Sequence, residues 1–344
     1  MFCIPAKFDL KFIEKLEENN RYRYVGEVYF AEPKTLVGHG RPSNKIKTKI
    51  GLKDFVEYLS TMDLELNYLL NASCCGNLEY TTEWRKEFID FVEYLTKIGI
   101  ESFTVAIPYL LELIKSEFDV KVVVSVIARV NNVRMAEFWQ NLGADAIFLD
   151  NSVNRNFKAL KAIKKAVKIE LGLIVNECCL LHCPMRSYHF NVVSHSSQLN
   201  SRDYVNYPIY RCTLTILNDL AEYVKSPWIR PEDLKYYDCV HRFKIVGREK
   251  SVDFVFRCLD AYVNGSWSGN LLDIIPTMIK LPIYVDNTKL NGFLEWFLDG
   301  RCDENCSSCG YCSRVAREVI SYDENELRLC KDRLEKLLKD SLSR

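Results

Sequence analysis

The stretch from Asn176 to His189, NECCLLHCPMRSYH, concentrates the side chains of this chain that are most able to do chemistry. It supplies three thiols, two imidazoles and one guanidinium, those of Cys178, Cys179, Cys183, His182, His189 and Arg186. Thiolates and imidazoles bind zinc, and thiolates hold iron–sulfur clusters. The stretch therefore predicts either a metal centre or a nucleophile, with a buried polar corner as the plainer alternative.

A metal centre needs thiols from elsewhere in the chain as well. Adjacent side chains point in different directions, so we expect only one of Cys178 and Cys179 to be a ligand. The next cysteines are Cys212 and Cys239. Loops at the mouth of a barrel would bring them to Cys183 and to one of Cys178 and Cys179, and four such thiolates bind a [4Fe–4S] cluster.

A nucleophilic pair is the second hypothesis for the same stretch. Cys183 could pair with His182 or with His189. Sequence neighbours seldom have the geometry that a nucleophile and its base require, and no third residue that would orient the base is evident. This hypothesis is therefore weaker than the metal centre.

A second group of cysteines lies near the end of the chain with the spacing C-x3-C-x2-C-x2-C: Cys302, Cys306, Cys309 and Cys312. Their segment is polar and contains glycine, so packing does not explain them, and exposed thiols without a ligand are open to oxidation. We predict a second iron–sulfur cluster or a zinc ion here. The first three also match the spacing of radical S-adenosylmethionine enzymes, whose motif follows the first strand of a barrel and not the last.

Composition narrows the class of protein. The chain has 344 residues, a formal net charge of +0 and 14 cysteines. No apolar run has transmembrane length and the first residues do not form a signal peptide, so we expect a cytoplasmic protein without a membrane partner. Cytoplasmic thiols stay reduced, which favours metal ligands over disulfides. The balanced charge gives no bulk electrostatic signal for DNA.

Short apolar runs alternate with segments of helical period through most of the chain, which predicts repeated βα units. About seven units precede residue 265, and no glycine-rich phosphate loop follows the first strand. Both features favour a TIM-like (β/α) barrel over a doubly wound sheet. We therefore predict an α/β chain with a barrel over 1–265 and a cysteine-rich, mainly helical C-terminal extension over 266–344, packed on the barrel.

Polar residues stand where predicted strands end: Glu27, Asn71, Ser125, Asp150, Asn151 and Asn176. The active site of such a barrel lies at the carboxyl ends of its strands. We expect Asn71, Ser125 and Asn151 to contact substrate, although each could simply cap the following helix.

Charged residues near the predicted mouth are candidates for catalysis and binding. Lys244 lies within an apolar strand, and a buried lysine needs a partner or a shifted pKa. Arg186, His189 and Lys244 are the predicted catalytic residues. Arg248, like Arg186, could hold a carboxylate or phosphate through two hydrogen bonds.

The segment "SPWIRPEDLKYYDCVHRFKIVGR" resembles the part of the U32 peptidase family (collagenase-like proteases) that ends in Lys-Ile-Glu-Gly-Arg. The runs "VGEVYF", "LNYLLN", "FTVAIPYLLELIK" and "VVVSVIARVNNVRMAEFWQNLGADAIFLD" resemble successive barrel strands of that family, in the same order. The likeness covers roughly residues 1 to 265. The sequence departs from the family at Val246, where Glu is usual, and in the cysteine region, so it looks like a divergent branch.

This resemblance implies a TIM-like barrel and two competing functions. The family name implies a peptidase, whereas several relatives carry a [4Fe–4S] cluster and take part in oxygen-independent hydroxylation of ubiquinone precursors or RNA. Carried over by position, the cluster ligands would be Cys179, Cys183, Cys212 and Cys239. We expect an iron–sulfur enzyme acting on a peptide, an RNA or a small aromatic molecule, with a hydrolase or a metal-braced binding protein as alternatives. The charged terminal helix is a candidate surface for a partner protein.

Overall fold

Eight parallel strands close into one barrel. The computed structural model describes residues 1–42, 48–201 and 206–343. Each strand hydrogen-bonds to the next in chain order, and the eighth returns to the first. The predicted TIM-like barrel is confirmed by this topology. The strands are β1 (Phe2–Pro5), β2 (Val25–Phe30), β3 (Glu65–Leu70), β4 (Ser102–Val105), β5 (Lys121–Val124), β6 (Ala146–Phe148), β7 (Glu170–Ile174) and β8 (Arg242–Lys244).

Helices cover the outside of the barrel. Most of them bury an apolar side and expose polar residues, as the helical period predicts, whereas α7 buries mainly polar residues, among them Arg186, Ser194 and Ser196. The helices are α1 (Leu10–Glu17), α2 (Leu52–Leu59), α3 (Thr82–Lys97), α4 (Pro108–Glu117), α5 (Val133–Asn141), α6 (Phe157–Ala166), α7 (Arg186–Ser196), α8 (Tyr207–Asn218), α9 (Ala221–Lys225) and α10 (Val252–Asn264). None of the described helices is long and apolar enough to span a membrane.

The lower part of the barrel interior is charged. Arg242 donates hydrogen bonds to Glu27 (2.7 Å), Glu65 (3.0 Å) and Glu170 (2.6 Å). Glu27 was expected at a strand end, but it is the third residue of β2 and is fully buried among these partners. Its role is therefore to compensate the buried arginine, because an unpaired charge in this position would be costly.

The C-terminal extension packs on the helices that follow β7. It contains β9 (Ile283–Val285), α11 (Glu295–Leu298), α12 (Cys306–Cys309), α13 (Tyr311–Val319), β10 (Ile320–Tyr322) and α14 (Glu324–Leu342). β9 and β10 form an antiparallel pair, α13 lies against α9, and α14 lies against α8. The division of the chain at residue 265 stays a prediction, although Gly265 does end α10 with a positive φ of 62°.

The seven βα units predicted from the sequence do not include the first strand, β1. β1 has only four residues and ends at Pro5, so it is too short to show a period. It pairs with β2 on one side and β8 on the other and thereby closes the barrel. The stretch from Asn176 to His189 consequently follows the seventh strand and not the sixth.

Candidate functional site

Two adjoining pockets lie at the carboxyl end of the barrel. The first, here called the mouth pocket, is lined by the ends of the strands and includes Asn71, Ser125, Lys244 and Arg248. The second, the thiol pocket, lies beside it under α7 and α8. The two pockets share six lining residues, Gly40, Arg41, Glu177, Phe190, Val246 and Gly247. They therefore form one continuous site.

Asn71 and Ser125 meet in the mouth pocket as the sequence predicts. The Asn71 Nδ2 donates to Ser125 Oγ at 2.9 Å. Ser125 also accepts a hydrogen bond from the backbone of Ile127, so it caps the turn after β5 as well. The Asn71 Oδ1 is buried and has no hydrogen-bond partner among the described residues. This oxygen is available to accept a hydrogen bond from a bound molecule.

Lys244 points into the barrel, as its position in the sequence predicts. Its Nζ lies 3.7 Å from the ring centroid of Tyr29 and 4.5 Å from that of Phe148. The nearest carboxylate oxygen, Oε1 of Glu27, is 3.9 Å away. Burial lowers the pKa of Lys244, and burial raises that of Glu27. The two aromatic rings and the carboxylate together hold a buried ammonium at the floor of the mouth pocket.

The thiol pocket brings four cysteines together. Cys178, Cys179 and Cys183 come from the loop after β7, and Cys212 comes from α8. Burial and the nearby Cys183 raise the pKa of Cys212 to about 11. Burial also raises the pKa of Cys178 to about 12, with a smaller contribution from Cys212. The thiols thus lie within electrostatic reach of one another, in surroundings that disfavour free thiolates.

Cys239 does not join this group, contrary to the sequence-based hypothesis. It precedes β8, so it lies at the amino end of the barrel, where Lys161 and Lys164 of α6 are its charged neighbours. The residue before a strand and the residues after a neighbouring parallel strand lie at opposite ends of a barrel. Cys178 lines the pocket in its place, so both adjacent cysteines reach it, although the sequence led us to expect only one of them there. The Cys178 thiol also lies 3.3 Å from the hydroxyl of Ser226.

Arg186, the first residue of α7, stands beside the thiols. It is 5% exposed, and its Nε and Nη2 make no hydrogen bond with the described residues. Burial opposes its charge, but Cys179 and Glu177 outweigh this effect and raise the pKa of Arg186. It is therefore a fixed positive charge beside the thiols.

His189 and Asn151 both lie near the carboxylate of Glu177, but in different places. His189 lines the thiol pocket, and burial together with Arg41 lowers the pKa of its imidazole to about 4, so the ring is neutral at pH 7. Asn151 is buried outside both pockets and donates a hydrogen bond to Glu177. The sequence led us to expect that Asn151 contacts substrate directly. It lies outside the pockets and instead orients Glu177, which lines them.

The four C-terminal cysteines also surround a single pocket. Cys302, Cys306, Cys309 and Cys312 line it together with Trp296 and Tyr311, whose rings stack at 4.4 Å. Cys306 is exposed, and the other three are half-buried. The four cysteines that are closely spaced in the sequence therefore also lie around one pocket.

Each cysteine group offers four thiols around one pocket, which is the donor set of a structural zinc site or of a [4Fe–4S] cluster. Among the described residues, no three His, Cys, Asp or Glu side chains are arranged to hold one metal ion.

Two lining residues were missed by the sequence reasoning. Arg41 belongs to the long irregular loop after β2, which has no period that would mark it. Glu177 lies within the stretch from Asn176 to His189, where only the cysteines, histidines and arginine were considered as reactive groups. A search for carboxylates directly after strand ends would have found Glu177.

Comparisons with known proteins agree with this architecture. The family model for peptidase family U32 matches residues 24–200. The uncharacterized protease MJ1657 of Methanocaldococcus jannaschii is 34% identical over 334 residues, which cover 93% of this chain and 99% of that protein. The solved structure of the U32 peptidase Mk0906 superposes with a TM-score of 0.55 at 20% identity, over 72% of this chain and 92% of that one, and shows the shared fold. The chain belongs to peptidase family U32.

Proposed function

We propose that this chain is an iron–sulfur enzyme whose active site is the joined mouth and thiol pockets. The observation that carries the proposal is the convergence of Cys178, Cys179, Cys183 and Cys212 on one pocket that opens into a polar barrel mouth. The substrate is a peptide, an RNA or a small aromatic molecule, and the reaction is of the oxygen-independent hydroxylation type. The C-terminal cysteines would hold a second cluster.

The surroundings of Cys178, Cys179 and Cys212 do not suit a nucleophile. A reactive cysteine needs a lowered pKa, whereas burial raises the pKa of Cys178, Cys179 and Cys212. Coordination to iron replaces the thiol proton and removes this penalty. Arg186 would offset part of the negative charge that four thiolates bring into the pocket.

The side chains around the thiols have separate roles in this proposal. A [4Fe–4S] cluster at the thiols would supply single-electron chemistry beside the mouth pocket. Neutral His189 can accept or donate a hydrogen bond without adding charge. Glu177, held by Asn151, lines both pockets and can accept a proton or orient a substrate hydroxyl. Lys244 supplies a desolvated positive charge at the floor.

A peptidase is the alternative, and the family and the related protease favour it by name. It would need an activated water or nucleophile near the mouth pocket. His182, one of the two bases considered for Cys183, instead bonds to Glu304 at 2.9 Å and is exposed. His189 is the remaining base, and its replacement by alanine would abolish cleavage of labelled gelatin if the enzyme is a peptidase.

The deciding experiment is purification without oxygen, followed by measurement of absorbance, iron and acid-labile sulfide. We expect a brown protein with about eight irons when both sites are filled, or about four if only the mouth is filled. A folded, colourless and iron-free protein contradicts the proposal. Cys212→Ser should lose the mouth cluster, and Cys239→Ser is the matched control that should retain it, because Cys239 lies at the other end of the barrel.

A further inference from the structure

The guanidinium of Arg248 is buried at the mouth pocket, and no described residue forms a hydrogen bond or an ion pair with it. The side chain follows β8 by four residues and is 7% exposed. Its Nη1 is fully enclosed and makes no hydrogen bond, and Arg248 forms no ion pair within the described residues. A buried charge that lacks a partner is destabilising, so its presence calls for an explanation.

Three other buried arginines, Arg155, Arg230 and Arg242, donate hydrogen bonds to the protein, whereas Arg186 beside the thiols does not. Arg230 is held by Asp233 at 3.0 Å, and Arg242 is held by three carboxylates. Arg155 donates to two backbone carbonyl oxygens. Within the described residues, the chain therefore provides partners for these three buried guanidinium groups but not for the one that faces the mouth pocket.

The carboxylates near Arg248 are engaged by a second arginine. Arg41 lies 3.4 Å from Glu249 and 3.9 Å from Glu177, and it lines the same pocket. Burial and the proximity of Arg41 lower the pKa of Arg248 to about 10, which leaves it charged at pH 7. Arg41 thus engages both carboxylates, and the guanidinium of Arg248 is left as the group that a bound anion would pair with.

The same pocket offers complementary contacts. The Asn71 Oδ1 is a buried acceptor without a donor among the described residues. Phe148, Phe190 and Leu69 add apolar surface to the lining. The pocket therefore suits a molecule with an anionic head, an apolar body and a hydrogen-bond donor.

We propose that the mouth pocket binds a small organic carboxylate with an apolar body, with the carboxylate on Arg248. The planar guanidinium can donate two parallel hydrogen bonds to a carboxylate. This inference deepens the proposed function, because it gives the substrate class of the same site and rests on the mouth pocket being the place where substrate binds.

The test uses the anaerobically purified full chain and four probes: acetate, benzoate, benzamide and inorganic phosphate. Calorimetric titration should show benzoate binding more tightly than acetate because of the apolar wall, and benzamide not binding because it lacks the charge. Binding of benzamide as tight as that of benzoate, or binding of phosphate alone, contradicts the proposal.

Variants separate a binding role from a structural one. Arg248→Gln should weaken benzoate binding by about tenfold or more, because a charged hydrogen bond is lost. It should also raise the Tm of the unliganded protein, since an unpaired buried charge is removed; a purely structural arginine would lower Tm on replacement. Arg85→Gln, an exposed arginine on α3, is the control and should change neither value. Unchanged benzoate affinity in Arg248→Gln overturns the inference.

The outcome is distinguishable from failure of the proposed function. Arg248→Gln should keep the iron content of the parent protein, because Arg248 does not line the thiol pocket. An iron-free protein that binds benzoate through Arg248 sinks the iron–sulfur proposal and leaves the anion site standing. A brown protein that binds none of the carboxylates sinks the anion site alone.

Discussion

The two cysteine groups have the same donors in different surroundings. The mouth group draws thiols from a loop and from a helix 29 or more residues further along, so it exists only when the barrel is folded. The C-terminal group lies within eleven residues and includes the exposed Cys306. The first opens into a pocket lined by charged and polar side chains, and the second is backed by stacked aromatic rings. This difference favours substrate chemistry at the first and electron entry or bracing at the second.

Each group also lies near one buried arginine, and the two arginines differ in a way that supports this division. Arg155 is close to Cys302 and Cys312, but its Nη1 and Nη2 donate to the carbonyl oxygens of Val224 and Trp228. Arg186 is close to Cys179, and its Nε and Nη2 have no hydrogen-bond partner among the described residues. The first arginine therefore links parts of the fold through hydrogen bonds, whereas the second has only the longer contacts to Asp150 and Glu177, both at 3.8 Å, and keeps unused hydrogen-bond donors.

Removing one thiol from each group gives the largest expected effect. Cys183→Ser should lower the iron bound at the mouth and leave the C-terminal cluster, because it removes one of the four thiolate ligands. Cys309→Ser should do the reverse. Iron analysis and electron paramagnetic resonance of the reduced proteins measure the two losses separately. Loss of all iron from either variant would contradict two independent sites.

Arg155→Met tests whether the extension depends on its arginine. The guanidinium lies 4.3 Å from the ring of Trp228 and 4.8 Å from that of Phe293, so it joins barrel and extension. We expect a loss of about 3 kcal/mol in the free energy of unfolding, from the cation–π contact and two unsatisfied carbonyl groups. Urea denaturation measures this loss. Lys158→Met on the neighbouring α6 is the control, and an equal loss there would assign the effect to α6 as a whole.

The sequence predicts much of this site because strand ends define the mouth. Asn71, Ser125, Lys244 and Arg248 all line the mouth pocket, as their positions at or near strand ends suggest. The thiols of Cys179, Cys183 and Cys212 also converge as expected. These positions follow from the direction of the chain through parallel strands, which the apolar pattern reveals.

The failures have physical causes of their own. Cys239 was predicted to be a ligand because it is the next cysteine in the sequence after Cys212. It precedes β8, however, and a residue that precedes a strand lies at the amino end of the barrel. β1 was missed because four residues carry no measurable period. Arg248 has no ion-pair partner among the described residues because Glu177 and Glu249 contact Arg41 instead. These contacts join loops that are distant in sequence.

Thiol alkylation without metal should distinguish the groups by about tenfold or more in rate. Only the thiolate reacts, and burial raises the pKa of Cys178 to about 12 and of Cys212 to about 11. Below these values the thiolate fraction, and hence the rate, rises about tenfold for each unit of pH. Exposed Cys306 should react first with iodoacetamide at pH 8, as measured by peptide mass spectrometry. Labelling of Cys178 as fast as Cys306 would show that the loop after β7 opens without a cluster.

Glu304→Gln should have the smallest effect, although it changes the contact that joins the two cysteine segments. The His182 Nε2 lies 2.9 Å from Glu304 Oε2, and the two side chains are 51% and 39% exposed. Exposed ion pairs contribute less than about 1 kcal/mol, so the free energy of unfolding should change by no more than this. If the groups act separately, the iron content and the resonance signal of the mouth cluster will not change. A shifted mouth signal would mean that the extension orients the loop carrying Cys179 and Cys183, and the division between a reaction site and a supporting site would then have to include His182 as a link.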